Sequence, residues 1–337
     1  MSRVIGAFSM SHPPGAVGWP DSPPAEVRRK IDAANAEYAR RLEADKPDLI
    51  IAFLDDHFEN HFRTLMPALA IGIAPSHAGP ADYMMKALRF DEKAVIPGEP
   101  ETAEHLLREL TRAGFDMTRM GEIEYGNNLL VPLKFFRPQF DIPVVPIFIN
   151  VFSPPLPTMA RAFDLGVAVR RIVEAMPDDR RVLFLATGGL SHWPPVWTET
   201  APEDDSFLQR QRRYQTEGKG VLESDPTLYS DLAQYEIDMM NRKQWPLGYQ
   251  HPLVNEAWDR EVLDAFERGD VESLRAMTFD SIEEGGGHGG HEVLNWIAVM
   301  GAMKGAPAEI LAYEPVPEWI GGMGYIAYGP DVARDPA

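Results

Sequence analysis

The feature that most constrains the fold of this chain is a set of short, unbroken apolar runs that alternate with helical patterns. Leu49 to Leu54, Val144 to Val151 and Val182 to Ala186 are such runs, and Ser2 to Met10 has the same character. Strands of a parallel sheet are buried on both faces and show this pattern. The alternation therefore predicts an α/β fold with a central, largely parallel sheet flanked by helices.

Two segments carry the spacing and the end signals of helices. Pro24 to Lys46 has apolar residues at helical spacing, and Pro24 suits the first helical position because its missing N–H costs nothing there. Thr102 to Ala113 is predicted as a helix with Thr102 as its N-cap and Gly114 as its stop.

The stretch from residue 194 to residue 290 differs from the rest because it is polar and rich in charged side chains. It is predicted to be a mostly helical insertion, and part of it to be a mobile segment that covers the site. A last apolar helix is expected to begin near Glu292. There is no internal repeat and no long linker, so residues 1–337 are predicted to form one domain.

Composition excludes several classes of function. The net charge of -19 repels nucleic acid and anionic membranes, so neither is an expected partner. The absence of cysteine excludes disulfides and thiolate metal sites, which leaves histidine and carboxylate as metal ligands. No run approaches the 18 apolar residues of a membrane helix, and residues 1–18 lack a signal-peptide pattern. The expected compartment is the cytoplasm.

Histidine follows three of the predicted strands, at the point where each strand ends. His12 comes after the first run, His57 after the second and His192 after the run that ends at Ala186. In open α/β sheets, ligands bind outside the carboxyl ends of the strands. The three histidines are therefore expected to converge at one end of the sheet. Each could also be an ordinary loop residue.

A glycine-rich segment, Gly285 to Gly290, precedes His291 and Glu292. Such a segment suits close backbone approach, and Glu292 then begins an apolar helix. A carboxylate there also interacts favourably with the helix dipole, which is an alternative reason for its position. Two histidines and one carboxylate form the facial triad of non-haem Fe(II) oxygenases, although these ligands suit Zn(II) as well. His288 and His291 are rival ligands, ranked below Glu292.

Several motifs together resemble the class III extradiol ring-cleavage dioxygenases, the superfamily of the protocatechuate 4,5-dioxygenase β subunit. The resemblance extends over nearly the whole chain, and its most specific segments are Gly188 to His192 and Pro317 to Ile320. The other matching segments are short: Ser11 to Pro14, Asp56-His57, Pro146 to Asn150, His251 to Leu253, Trp258-Asp259 and His291-Glu292 with Trp296.

This resemblance implies that His12, His57 and Glu292 bind Fe(II). It further implies that His192 exchanges protons with the substrate without binding the metal. His61 is a rival to His57, but only His57 stands in the Asp-His position of the family. The implied substrates are a small aromatic diol and O₂, and the implied product is a ring-opened semialdehyde from meta cleavage. Family members generally assemble, so a homo-oligomer is expected.

One position departs from the family pattern. Relatives carry a second active-site histidine in an Asp-His-Gly segment, and this chain has Tyr125 between Glu124 and Gly126. Tyr125 is predicted to face the substrate oxygen or O₂ as a catalytic residue, just ahead of a turn at Val131 to Leu133. A phenol can donate a hydrogen bond but cannot become a cation. Alternatively, Tyr125 only fills space.

Three alternative functions remain open. A zinc hydrolase could use the same ligands and a metal-bound hydroxide. A related dioxygenase could act on an aminophenol, a dihydroxypyridine or a gallate-like ring. An inactive member could serve as a partner subunit. The ring substituent is not identified by the sequence, and candidates for contacts to it are Arg63, Lys134, Arg137 and Trp193.

Overall fold

The structure is a computed structural model that describes residues 1–196, 198, 203–242 and 253–329. Within these residues, eight strands form one sheet in the order β6-β3-β7-β2-β8-β1-β10-β9, and β4 pairs with β5 separately. The strands are β1 (Arg3–Met10), β2 (Leu49–Leu54), β3 (Leu69–Gly72), β4 (Ser76–Gly79), β5 (Ala94–Pro97), β6 (Thr118–Met120), β7 (Val144–Ile149), β8 (Arg181–Thr187), β9 (Glu309–Val316) and β10 (Gly321–Tyr328).

Four adjacent strands at the centre of the sheet, β7, β2, β8 and β1, run parallel. They are the four strands that the apolar runs predict. Successive residues of a strand point to opposite faces, so Ile51 packs into one hydrophobic core while Ile50 and Ala52 pack into the other. Burial on both faces explains why the run of β2 is unbroken and confirms the predicted α/β fold.

The outer strands make the sheet mixed. β3 runs antiparallel to β7, β10 antiparallel to β1, and β9 antiparallel to β10, whereas β6 is parallel to β3. The hairpin of β9 and β10 was not predicted. β10 carries Gly321, Gly322 and Gly324, although all its residues are buried. A Cβ at Gly322 would lie 2.0 Å from a carboxylate oxygen of Asp259, so close approach of a neighbouring chain segment requires glycine there.

Helices cover both faces of the sheet. α3, α5 and α12 pack into one core, and α2 and α4 pack into the other. The helices are α1 (Gly15–Gly18), α2 (Ala25–Asp45), α3 (Pro100–Arg112), α4 (Asn127–Phe136), α5 (Met159–Ala175), α6 (Ser206–Glu217), α7 (Val221–Ser224), α8 (Leu228–Arg242), α9 (Glu256–Arg268), α10 (Val271–Arg275), α11 (Phe279–Gly285) and α12 (Val293–Ala302). The predicted last apolar helix is α12, and Glu292 is its N-cap residue.

Two predicted helix starts differ slightly from the structure. Pro24 is the N-cap residue of α2 and stands one position ahead of the first helical residue. The N-cap of α3 is Glu99, not Thr102, and the Glu99 carboxylate accepts a hydrogen bond from the Thr102 backbone N–H at 2.7 Å. Gly114, with a φ of +89°, follows the end of α3 as predicted.

The predicted turn at Val131 to Leu133 is wrong, because these residues lie inside α4. Pro132 has no N–H, so the Asn128 carbonyl loses its usual donor within the helix. The hydroxyl of Thr187, the last residue of β8, donates to this carbonyl at 2.5 Å. A side chain of the sheet therefore supplies the hydrogen bond that permits proline in α4.

The insertion is mostly helical where it is described, as predicted, and it contributes α6 to α11. Its residues form one side of a cavity at the carboxyl ends of the central strands. The insertion thus lines the cavity with these residues, while its role as a mobile covering segment stays a prediction. Among the described residues, no helix combines the length and apolar character needed to cross a membrane.

Candidate metal centre and adjoining cavity

The ends of three adjacent parallel strands create the site. β8 lies between β1 and β2, so the turns that follow these strands meet at one edge of the sheet. His12 follows β1, Asp55 and His57 follow β2, and His192 follows β8. The convergence predicted from the sequence is thus present for all three histidines.

Glu292 reaches the same place from the start of α12. A Cβ at Gly188 would lie 2.7 Å from the Cβ of Glu292, and Gly188 has a φ of +115°. The next residue, Gly189, donates its backbone N–H to Oε2 of Glu292 at 2.5 Å. The two glycines therefore let the turn after β8 pass close to the carboxylate and fix its orientation.

Four side chains bring donor atoms together: those of His12, Asp55, His57 and Glu292, with all four atoms within 4.8 Å of one another. Nε2 of His12 lies 3.7 Å from Oε2 of Glu292, and Nε2 of His57 lies 3.5 Å from Oε1 of Glu292. His12, Asp55 and Glu292 are buried, and His57 is partly buried. The three predicted ligands are therefore grouped in the fold.

The chemistry of these donor atoms fits a divalent cation. Both ring nitrogens of His12, Oδ2 of Asp55 and Oε1 of Glu292 are buried without a hydrogen-bond partner. Buried polar groups are normally paired, because an unpaired one loses its hydration without compensation. Three of these atoms converge, namely Nε2 of His12, Oδ2 of Asp55 and Oε1 of Glu292, and a metal ion bound by imidazole and carboxylate would satisfy them.

Without an ion, the buried groups of this cluster have pKa values that are shifted far from their usual values and in different directions. Burial lowers the pKa of His12 to about 3. Burial acts to lower the pKa of His57 as well, but Asp55 with Glu292 and Glu59 raises it to about 10. Burial, with the charge of Glu292, raises the pKa of Asp55 well above its usual value. A divalent cation would instead favour ionised carboxylates and neutral imidazoles.

Asp55 is the member of the cluster that the sequence did not identify. Its Oδ2 lies 3.2 Å from Nε2 of His57, and its Oδ1 accepts a hydrogen bond from Nδ2 of Asn295 at 2.9 Å. The same amide of Asn295 also donates to the Thr187 carbonyl. The sequence feature that could have identified Asp55 is its position directly after the last residue of β2.

His192 stands beside this cluster and is not among its four members. Its Nδ1 lies 2.9 Å from the Leu190 carbonyl, and its Nε2 lies 3.4 Å from Oε1 of Glu292. A ring N–H on Nδ1 leaves Nε2 as the nitrogen that faces the site. Burial acts to lower the pKa of His192, but Glu292 outweighs it and raises the pKa above its usual value.

The rival histidines lie elsewhere. Nδ1 of His61 is 3.6 Å from Asp56, and its ring packs edge-on against Phe148. Nε2 of His288 lies 2.7 Å from the Pro194 carbonyl. Nε2 of His291 lies 3.1 Å from Oε1 of Glu283. None of the three joins the cluster, which agrees with the ranking of His57 and Glu292 above them.

Tyr125 is not brought into the site. Its side chain is fully buried, and its ring packs edge-on against His77 with 5.6 Å between ring centroids. Its hydroxyl has no hydrogen-bond partner among the residues that the structure describes, and Tyr125 is not among the residues that line the cavity. The nearby residue Asn127 lines the cavity instead. Its Nδ2 donates a hydrogen bond to the His12 carbonyl at 3.1 Å. The expected position is therefore wrong, while a catalytic role stays a prediction.

The cavity beside the cluster encloses about 1090 Å³, its open mouth included. His12, His57, His192 and Glu292 form its floor. In the described part of the chain, six aromatic side chains line it, from both the central fold and the insertion: Trp19, Phe58, Phe152, Tyr214, Tyr229 and Trp319. A largely apolar cavity with a few converging polar groups is the usual form of a small-molecule site.

The basic residues considered for substrate contacts do not line this cavity. Arg137 pairs with Asp141, and Lys134 donates to the carbonyls of Leu88 and Arg89. Arg63 lies over the ring of the lining residue Phe58, 5.4 Å from the ring centroid. Trp193 is buried but is also not a lining residue.

The remaining family motifs support the turn that carries His192. Asp259 accepts hydrogen bonds from the Ser191 backbone N–H and from the Tyr313 hydroxyl, both at 2.7 Å. Trp319 and Ile320 of the second specific segment line the cavity. His251 and Pro252, which belong to the motif ahead of Leu253, lie outside the described residues.

Comparison with known proteins agrees with this geometry. Residues 6–324 match the family described as the catalytic LigB subunit of aromatic ring-opening dioxygenase. The chain is 31% identical over 321 residues, 94% of each protein, to the 2,3-dihydroxyphenylpropionate/2,3-dihydroxicinnamic acid 1,2-dioxygenase of Burkholderia vietnamiensis strain G4. It is 30% identical over 322 residues to the enzyme of that name from Escherichia coli strain K12, which covers 94% of this chain and 96% of the relative.

This chain belongs to the family of catalytic LigB subunits of aromatic ring-opening dioxygenases. It is an extradiol ring-cleaving dioxygenase, as the motifs predicted, and the family implies a metal at the cluster of His12, Asp55, His57 and Glu292.

Proposed function

We propose that this enzyme binds Fe(II) through His12, His57 and Glu292 and opens a catechol-type ring with O₂ by meta cleavage. The observation that carries this proposal is the convergence of donor atoms from these residues beside an aromatic-lined cavity, where Nε2 of His12 and Oε1 of Glu292 are buried without a hydrogen-bond partner among the described residues. The names of the relatives support a catechol-type substrate, since both act on 2,3-dihydroxyphenyl compounds.

Two histidines and one carboxylate suit Fe(II) and leave coordination positions for other ligands. Bound there, Fe(II) would hold the diol and O₂ next to each other and allow electrons to pass between them. The protein contributes orientation, because the turns after β1 and β2 and the start of α12 fix the three side chains. Asn127 supports this by hydrogen bonding to the backbone of His12.

His192 is proposed to carry the proton. Its Nδ1 is held by the Leu190 carbonyl, so Nε2 is available to accept a proton from a substrate hydroxyl in the cavity. The neighbouring carboxylate of Glu292, 3.4 Å from Nε2, stabilises the resulting imidazolium. Nε2 then returns the proton to the ring-opened product, a semialdehyde of the muconic type.

The insertion limits the access of water to these steps. Pro194, Pro195 and Leu232 place apolar groups on the cavity wall. Exclusion of water strengthens the electrostatic interactions between substrate and protein and protects reactive species.

An oxygen-electrode assay tests the proposal. Protein reconstituted anaerobically with Fe(II) is offered substituted catechols, gallates and aminophenols, and metal-free and Zn(II)-loaded proteins serve as controls. We expect O₂ uptake with a catechol only in the Fe(II) protein, together with the absorbance of a ring-opened product. Activity with Zn(II) and no O₂ uptake would identify a hydrolase, and preference for an aminophenol would identify the non-catechol alternative. No O₂ uptake with any ring would contradict the proposal.

A further inference from the structure

The charge of the cavity wall bears on the substituent of the substrate ring. Besides the metal-centre residue Glu292, two carboxylates of the described residues line the cavity: Glu59, from the turn after β2, and Glu236, from α8 of the insertion. No lysine or arginine among the described residues lines it. A substituent ending in a carboxylate would therefore meet two carboxyl groups, whose ionised form has its own sign of charge, and no lysine or arginine among these residues.

Among the described residues, the Glu236 carboxylate has no compensating partner. Within the described part of the chain, it forms no ion pair and accepts no hydrogen bond, although it is partly buried. Glu59 is 2% exposed, and its carboxylate accepts a hydrogen bond from the His57 backbone N–H at 2.8 Å. A partly desolvated carboxylate gains from a cation more than an exposed one does, because water screens it less.

The rest of the wall also suits a cation. Phe58, Tyr214 and Tyr229 also line the cavity: Phe58 precedes Glu59 in the chain, and the two tyrosines belong to the insertion that carries Glu236. The faces of such rings attract ammonium groups, most strongly where water is excluded. Carboxylates and aromatic faces together form the surroundings that recognise an alkylammonium group.

We propose, building on the proposed ring-cleavage function, that the substrate is a catechol whose side chain ends in an amine, with Glu236 as the counter-ion of its ammonium group. The arylpropionates named for the relatives carry the opposite charge at that end. The reaction at the ring is unchanged, and Glu236 determines specificity without touching the reacting atoms.

Three matched catechols test the proposal. They share a three-carbon side chain next to the diol and end in an ammonium, a carboxamide or a carboxylate. Affinity for each is measured by calorimetry on Fe(II)-loaded protein without O₂, and kcat/KM is measured with O₂. We expect the ammonium compound to bind about tenfold more tightly than the carboxylate compound, or better, with the carboxamide between them.

The variant Glu236→Gln keeps the size of the side chain and removes its charge. It should weaken binding of the ammonium compound about tenfold, strengthen binding of the carboxylate compound and change the carboxamide least. Glu223→Gln, at an exposed site on the neighbouring α7, makes the same change in net charge away from the cavity and should keep the wild-type order.

Tightest binding of the carboxylate or the carboxamide overturns the proposal, and so does an ammonium preference that survives Glu236→Gln. The ring-cleavage proposal fails separately, if the ammonium compound binds best and yet no catechol consumes O₂. In that case, the binding order still supports the assignment of the ammonium site.

Discussion

Nδ2 of Asn295 donates a hydrogen bond at 2.9 Å to Oδ1 of Asp55. This contact joins the first turn of α12 to the end of β2, so it links the two elements that supply Glu292 and His57. It also directs the other oxygen of Asp55 toward Nε2 of His57. At the metal centre, the helix and the strand that supply these ligands are therefore also linked by one side-chain amide.

Asp55→Asn should weaken Fe(II) binding by about 10–100-fold, the usual effect of losing a group that orients or charges a metal site. The substitution replaces a negative oxygen near His57 by an amide and keeps the size of the side chain. Competition with a chelator of known affinity measures the change. Asp264→Asn, on the exposed side of α9, is the control, and unchanged affinity in Asp55→Asn would show that the carboxylate does not support the metal.

Replacing His12, His57 or Glu292 by Ala should remove most of the iron and keep the fold. Each loses one of three ligands, while the helices and strands around it are held by the two hydrophobic cores. Metal analysis gives the iron content, and circular dichroism of the metal-free proteins checks the fold. Full occupancy in all three variants would refute the ligand assignment. In an iron-bound structure, donor atoms should lie within about 2.0–2.2 Å of the ion, as for comparable zinc ligands.

His192→Ala should retain iron and lose roughly 10²–10⁴-fold in turnover, because a general acid–base group is removed and no ligand is lost. Steady-state rates and iron content are measured on the same preparation. His105→Ala, on α3 and outside the cavity, provides the matched control. If iron disappears together with His192, the residue is a ligand and its proposed role as proton carrier is wrong.

Tyr125→Phe tests the catalytic role predicted for the tyrosine. Its hydroxyl is buried without a partner, so we expect wild-type turnover and a free energy of unfolding that is unchanged or higher by about 1 kcal/mol. Tyr328→Phe is matched, because the Tyr328 hydroxyl is also buried and unpaired. A clear loss of turnover in Tyr125→Phe alone, with iron retained, would instead restore the catalytic prediction.

Glu236 should make stability depend on pH. Burial raises its pKa to about 7 from an ordinary value of 4.5, so folding favours the protonated form. Its contribution to stability is present at low pH and is lost as the pH rises from about 4.5 to about 7. Glu236→Gln should therefore have a higher Tm than wild type at pH 8 and nearly the same Tm at pH 5. Equal differences at both pH values, or a difference matched by Glu223→Gln, would contradict this.

The sequence predicted the parts of the fold that are governed by burial on two faces. β1, β2, β7 and β8 have unbroken apolar runs because both sides of each strand pack into a core. The same periodicity placed His12, His57 and His192 at strand ends, and parallel pairing of adjacent strands then brought them together.

Other features depend on contacts between distant residues and leave little local pattern. β10 contains three glycines because neighbouring segments approach it closely, so it does not resemble an ordinary strand. The orientation of the Asp55 carboxylate depends on a hydrogen bond from Asn295, which lies 240 residues away in the chain. The position of Tyr125 depends on its packing against His77 of β4, a strand of four residues without an apolar run.

The strand order has a consequence for the biogenesis of the enzyme. β1, which leads to His12, is held between β8 and β10, and Glu292 lies between these two strands in the chain. During synthesis, His12 and His57 emerge long before the carboxylate that completes their ligand set, and contacts of such long range form late in folding. A growing chain therefore presents only part of the site, and tight capture of the metal must wait until nearly the whole sheet has assembled.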